Sequence, residues 1–302
     1  MLRILFLLFY FSLVAVTFGS DTLLIKSHFS KILDSPKARN YENIESLNYV
    51  AEYIHDEFGK FGDSTSYQEF KVNGKIYKNV ITSFGTENEK RIIVGAHYDV
   101  CGNQAGADDN ASGVVGLLEL ARMLKGQKLN YRLDLISYTL EEPPYFGSTD
   151  MGSYVHSKYL YDNKIDVYGM ICLEMIGYFS DEKNSQAYPL GLLKMLYGSK
   201  GDYITVIRKF HDGKFAGKYK SNLKKSKTIK TKSLKAPESL RGIDFSDHRN
   251  YWEFGFSSVL ITNTGFYRNP NYHQDSDVLS TIDIVRMSQV IDEVFRSIIE
   301  LK

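Results

Sequence analysis

The chain has 302 residues, 43% hydrophobic and 14% aromatic, enough to bury a large core, which excludes a disordered tail or a minimal disulfide-stapled scaffold. Its 37 Lys and Arg against 36 Asp and Glu leave a formal charge of +1, so no global electrostatic case exists for nucleic acid. Two cysteines, Cys101 and Cys172, with no Cys-x-x-Cys pair, exclude a disulfide framework and a thiolate zinc module.

The first residues, MLRILFLLFYFSLVAVTFGS, carry one charge, Arg3, ahead of an apolar run from Ile4 to Phe18, with small Thr17 and Gly19 preceding Ser20. This pattern reads as a secretory signal peptide over residues 1–19, and the run falls short of the roughly 20 residues a spanning helix needs. The expectation is a secreted or periplasmic protein with no stable membrane insertion after cleavage. Residues 20–302 are read as one catalytic domain that requires no oligomer.

From Ala38 to Gly62 the apolar residues Tyr41, Ile44, Leu47, Val50, Ala51, Ile54 and Phe58 recur at spacings of three and four, predicting an amphipathic helix. YQEFKV and KNVITSF, on either side of Asn73-Gly74, predict a β-hairpin. Apolar strands follow: IIVGAHY, LDLISYTL, YGMICLEMI and SSVLITNT. Helical patterns lie near residues 111–125, 149–162 and 280–300. Unbroken apolar strands alternating with helices imply an α/β fold, a three-layer α/β/α sandwich around a mixed, mainly parallel sheet. Between Lys214 and Lys235 stand nine lysines and no acid, and the alternation in KTIKTKSLKA predicts an edge strand with a solvated face.

Clusters of metal-ligand residue types sit at the ends of these strands: HYD (97–99), GADDNASG (106–113), Glu141-Glu142, LEMIG (173–177) and, after the last strand, NYHQDSD with His273. Ligands of open α/β sheets bind beyond the carboxyl ends of the strands, so these segments should converge at one rim. Imidazoles and carboxylates suit zinc. Asp99, two residues past His97 on the same strand face, can orient its ring. Adjacent glutamates at a strand end point different ways, so one can hold metal while the other works as a general base. Taken singly, each feature also has a plain structural reading: a core histidine, a turn, solvated surface charge.

Together, HYD, GADDNASG, the Glu-Glu pair, LEMIG and YHQDSD resemble the di-zinc exopeptidases that include secreted bacterial leucyl aminopeptidases and glutamate carboxypeptidase, with glutaminyl cyclases as relatives. The resemblance spans about residues 38–302. It implies two Zn2+ ions per chain: His97 and Glu174 on one, Glu142 and His273 on the other, and Asp109 bridging. It also implies Asp99 orienting His97, Glu141 as general base, and hydrolysis of peptide or protein N-termini through a metal-bridging water. Glu174 departs from the pattern, since many members have Asp there. The resemblance further suggests support for the catalytic glutamate from Asp247, against a helix N-cap role for Ser246 or Asp247. Tyr178, Phe179, Phe266, Tyr267 and Arg268 follow ligand-bearing strands and are candidate substrate-pocket residues. The strand offset of Cys101 and Cys172 around the implied ligands favours free thiols, with a bridge left open by the intervening loop. A secreted aminopeptidase is therefore expected. The alternatives are a single-zinc glutaminyl cyclase, a carboxypeptidase and a non-catalytic receptor-like domain.

Overall fold

A computed structural model describes residues 19–225 and 228–302. The expected leader, residues 1–19, lies outside the described residues but for Gly19. In chain order the elements are α1 (Thr22–Leu33), α2 (Ile44–Gly59), β1 (Ser64–Val72), β2 (Lys75–Phe84), β3 (Arg91–His97), α3 (Gly113–Leu124), β4 (Arg132–Tyr138) and α4 (Gly152–Asp162). There follow β5 (Val167–Glu174), α5 (Gly191–Tyr197), β6 (Ile204–Lys209), α6 (Gly213–Leu223), β7 (Thr231–Ala236), α7 (His248–Glu253), β8 (Ser258–Thr262) and α8 (Ile284–Ile299). The strands form one sheet in the order β1-β2-β4-β3-β5-β8-β6-β7. Pairing is parallel for β4-β3, β3-β5, β5-β8 and β6-β7, and antiparallel for β1-β2, β2-β4 and β8-β6.

Side-chain alternation divides the core between the two sheet faces. Ile92, Val94 and Ala96 of β3, Leu133 and Leu135 of β4, Ile171 and Leu173 of β5, and Val259 and Ile261 of β8 pack with α1, α2, α3, α6 and α8. The intervening Ile93, Ile136, Tyr138, Met170, Cys172 and Leu260 pack with α4 and α7. The strands are thus buried on both faces, which explains their unbroken apolar runs and confirms the three-layer α/β architecture. Lysine-rich β7 lies at the sheet edge, as its alternation predicts.

Boundaries differ from the periodic reading. The helix expected from Ala38 to Gly62 runs from Ile44 to Gly59. That expected from residue 280 starts at Ile284, where the Asp283 carboxylate accepts from Arg286 N at 2.9 Å. Helix α1 was not anticipated, although Ile25, Phe29 and Ile32 bury one stripe and Asp21 caps its start by accepting from Leu23 N and Leu24 N. Strand β6 and helices α5, α6 and α7 were not anticipated either: α5 and α7 hold fewer than two helical turns, and α6 buries Phe215, Ala216, Tyr219 and Leu223 in a stretch read only for its lysines.

Candidate metal centre

The rim is built by strand ends and the turns that follow them. His97 is the last residue of β3 and Glu174 the last of β5. After β4 the chain passes Leu140 into Glu141-Glu142. Asp109 lies in the turn 107–112 ahead of α3, where Gly106 opens the turn in left-handed backbone (φ 60°). A Cβ on Gly106 would stand 2.3 Å from the carbonyl oxygen of Asp109, so glycine is required there. Leu140 (φ 60°), Met175 (φ 49°) and His273 (φ 56°) adopt left-handed backbone despite their side chains, each at or next to a predicted ligand or the predicted general base. Such backbone is unfavourable for these residue types and persists only where the surroundings impose it.

The two carboxylate oxygens of Asp109 face different histidines. Oδ1 lies 3.5 Å from His97 Nε2, and Oδ2 lies 3.2 Å from His273 Nε2. On one side Glu174 Oε2 stands 3.3 Å from His97 Nε2. On the other, Glu142 Oε2 stands 3.2 Å from His273 Nε2. Glu141 Oε2 lies 3.8 Å from His97 Nε2. All six side chains are buried apart from His273, which is partly exposed. The structure therefore brings together His97, Asp109, Glu141, Glu142, Glu174 and His273, drawn from five separate segments of the chain.

Asp99 does more than the sequence reading foresaw. Its Oδ1 is 3.5 Å from His97 Nδ1, but the closer partner of that nitrogen is its main-chain carbonyl, at 3.2 Å. Its carboxylate accepts instead from the backbone N–H groups of Glu141 and Glu142, at 3.2 and 3.1 Å, pinning the Glu-Glu turn to β3. Sequence reasoning missed several further residues. Asp277 accepts from the N–H groups of Asp108 and Asp109. Asp108 gathers Gly177 N, Asn263 Nδ2 and Asn269 Nδ2. Asn110 donates to Leu173 O and Glu174 Oε2, and Ser246 Oγ donates to Glu174 Oε2 at 2.7 Å. Buried Arg39 donates to the carbonyls of Tyr98, Ala105 and Gly106. Asp277 lies inside the NYHQDSD motif, which was the available signal for it. Arg39 had none.

The electrostatics of the cluster are lopsided. Burial pushes the Glu142 carboxyl up to about 7, helped by Asp109 and opposed by His273 and His97. Glu141 is raised well above the usual carboxylate range, first by burial and then by Glu142 and Glu174, against His97. Burial alone would lower His97, yet Glu174, Glu141, Asp109 and Asp99 outweigh it and hold the ring well above its ordinary value. His273 is raised to about 10 by Asp109 and Glu142 against its desolvation. Asp109 Oδ2, Glu142 Oε1 and His273 Nε2 make no well-aligned hydrogen bond among the described residues, although Oδ2 and Nε2 lie 3.2 Å apart. Buried carboxylates in excess of cations, with oxygens and a ring nitrogen lacking such bonds, call for positive charge from elsewhere. His97, Asp109 and Glu174 each offer a donor atom within 4.8 Å of the others, as do Cys101, Glu142 and His273. The donor set therefore fits divalent metal of the zinc class.

A cavity of about 290 Å3 opens beside the cluster, with Asp109, Glu141, Glu142, Glu174 and His273 in its wall and Tyr188, Leu193, Ile207, Leu234 and Phe245 further along. Of the five predicted pocket residues, Phe266 and Tyr267 line it. Tyr178, Phe179 and Arg268 do not, which corrects that expectation. The Phe179 ring packs under the Arg268 and Arg286 guanidinium groups. Arg268 spends its donors on Gln186 Oε1 and Tyr203 O. Asp247 is fully buried immediately before α7 and its side chain makes no capping hydrogen bond, while Ser246 Oγ donates to Glu174 Oε2. Burial, with Glu174 and Asp99 adding to it against His97, raises its carboxyl to about 7. Cys101 is half-buried and Cys172 buried, and both are free.

Residues 79–298 match the model for Peptidase family M28. An uncharacterized Escherichia coli protein, YfbL, is 40% identical over 264 residues, 85% of this chain and 81% of its own. A probable leucine aminopeptidase of Trichophyton verrucosum is 27% identical over 82% of this chain, which spans 65% of that relative's length. Among solved structures, the Legionella pneumophila LapA aminopeptidase superposes with a TM-score of 0.71 at 17% identity, covering 93% of this chain and 73% of that one. A Bacteroides thetaiotaomicron glutaminyl cyclase superposes with 0.70 at 20% identity, covering 94% and 99%. At these identities the superpositions establish the fold.

Proposed function

We propose that this chain, which belongs to Peptidase family M28, is an exported two-zinc aminopeptidase that hydrolyses N-terminal peptide bonds. The observation that carries the reading is Asp109, whose two oxygens face His97 and His273 separately, with Glu174 and Glu142 on the respective flanks. Such a division of one carboxylate suits two ions held about 3.5 to 4 Å apart. The family's zinc dependence and its leucine aminopeptidase relatives support the same conclusion.

Zinc in such a site supplies Lewis acidity toward the scissile carbonyl and toward water. His97 and Glu174 would hold one ion, His273 and Glu142 the other, and Asp109 both. Glu141, left over by this division and lining the cavity, is the general base: it takes the proton of the attacking water and returns it to the leaving amine. Asp99 keeps Glu141 in place by gripping its backbone N–H. The substrate's free α-ammonium is attracted by the carboxylate wall, while its first side chain enters the apolar part of the cavity near Phe245 and Phe266. Residues 20–302 act as the catalytic domain and residues 1–19 as the export signal. No helix among the described residues is long and apolar enough to cross a membrane.

The deciding experiment incubates the purified protein with zinc and peptides bearing free, acetylated or glutamine N-termini, with and without chelator. Chelator-sensitive release of the first residue from free N-termini is expected. Release from the carboxyl end, or cyclisation of glutamine without hydrolysis, overturns the proposal.

A further inference from the structure

The donors grouped around His273 include one that the resemblance does not supply. Cys101 Sγ, a Glu142 oxygen and a His273 nitrogen all lie within 4.8 Å of one another. Glu142 is buried and its Oε1 has no hydrogen-bond partner. Cys101 sits two residues beyond Asp99, in the segment that leaves the end of β3, and is half-buried and unbridged. A thiol that coordinates a divalent cation gives up its proton outright, so these three donors suit one metal position.

We propose that Cys101 is a further ligand of the metal position held by Glu142 and His273, so that one of the two zinc sites contains a thiolate. The inference rests on the two-metal reading above. Zinc–sulfur and zinc–nitrogen bonds of about 2.3 and 2.0–2.1 Å place neighbouring ligand atoms roughly 3.3–3.7 Å apart in a tetrahedral site. The three donors thus need to close by about 1.5 Å at most. On binding, the thiol proton passes to solvent as the metal–sulfur bond forms, with no change of oxidation state. Sulfur softens the site and shifts its preference toward zinc and away from magnesium or manganese, which favour oxygen donors. It also gives this position a donor that a thiol reagent can remove, which the position shared by His97 and Glu174 lacks.

The test uses the purified exported chain, stripped of metal and reloaded with Co2+. A thiolate-to-cobalt charge-transfer absorption in the near ultraviolet is expected for wild type and absent from Cys101→Ser at equal cobalt content. Alkylation of the wild-type chain by iodoacetamide gives a second reading that needs no variant. Cys172 is fully buried, so the folded chain reacts at Cys101, and saturating Zn2+ should slow that reaction roughly tenfold or more. Two bound cobalt ions without the charge-transfer band, or alkylation indifferent to zinc, overturns the role of Cys101 and leaves the two-metal reading standing. Failure to bind metal overturns both.

Discussion

At the residue scale, the proposed division of labour between the two adjacent glutamates follows from one backbone turn that points them apart. Glu142 faces His273 and Glu141 faces the His97 side of the cavity, while Asp99 holds both their N–H groups. Glu141→Gln is isosteric and leaves the other carboxylates in place. Metal content should persist while kcat falls by about 10²- to 10⁴-fold, the usual worth of a positioned base; wild-type turnover at full zinc content would remove Glu141 from the role proposed. Asp99→Asn keeps the size but halves the charged acceptors of the Glu-Glu turn, so kcat should fall while the Km for a small peptide changes little. His97, Asp109, Glu141, Glu142, Glu174 and His273 were all legible as residue types at strand ends. The roles of Asp277 and Asn110, although both lie inside quoted motifs, and of Ser246 and Arg39 were not, because hydrogen-bonding partners carry no type or spacing that separates them from ordinary turn residues.

At the element scale, the same strand alternation that fills both faces also places two of the proposed ligands: His97 and Glu174 stand in step with Ile93, Met170 and Cys172 on the face covered by α4 and α7. That layer is tied by a buried chain in which Tyr138 and Tyr251 hydroxyls meet at 2.6 Å and Tyr251 meets His156 Nδ1 at 2.7 Å. Burial lowers both His156 and His248 to about 4. The unfolded chain takes up protons at these histidines below about pH 6.5 and the folded chain does not. Stability should therefore decline as pH falls from 6.5 toward 4, at up to roughly 1.4 kcal/mol per pH unit for each. Comparing thermal unfolding of the zinc-loaded wild type and His156→Gln across that window checks this: the variant should show a shallower decline, and equal slopes would refute the assignment. Helices α2, α3 and α8 were legible because several turns repeat the apolar spacing, whereas α1 and α6, of 12 and 11 residues, were not anticipated. The helices α5 and α7 were not legible, since six or seven residues hold fewer than two full helical periods.

At the scale of the whole molecule, near neutrality hides a concentrated charge. Asp99, Asp109, Glu141, Glu142 and Glu174 are all buried at one rim, against His97 and His273. Removing bound zinc leaves these carboxylates to repel one another, and ligand binding to the folded state alone stabilises it in proportion to the logarithm of saturation. Chelation should lower the midpoint of thermal unfolding by several degrees, with recovery on adding back zinc; an unchanged midpoint would mean that the cluster is balanced without metal. The sequence by itself determined the three-layer class, the edge position of β7 and the convergence of five segments with metal-ligand residue types, because alternation, periodicity and strand-end chemistry are local properties. Only the tertiary structure decided that Asp109 splits its oxygens between two histidines, that Asp99 holds the Glu-Glu turn, that Phe266 and Tyr267 line the cavity while Arg268 is tied into the scaffold, and that Cys101 faces His273. Those relations join residues a dozen to more than a hundred positions apart, and their distances exist only once the sheet has brought the strand ends together.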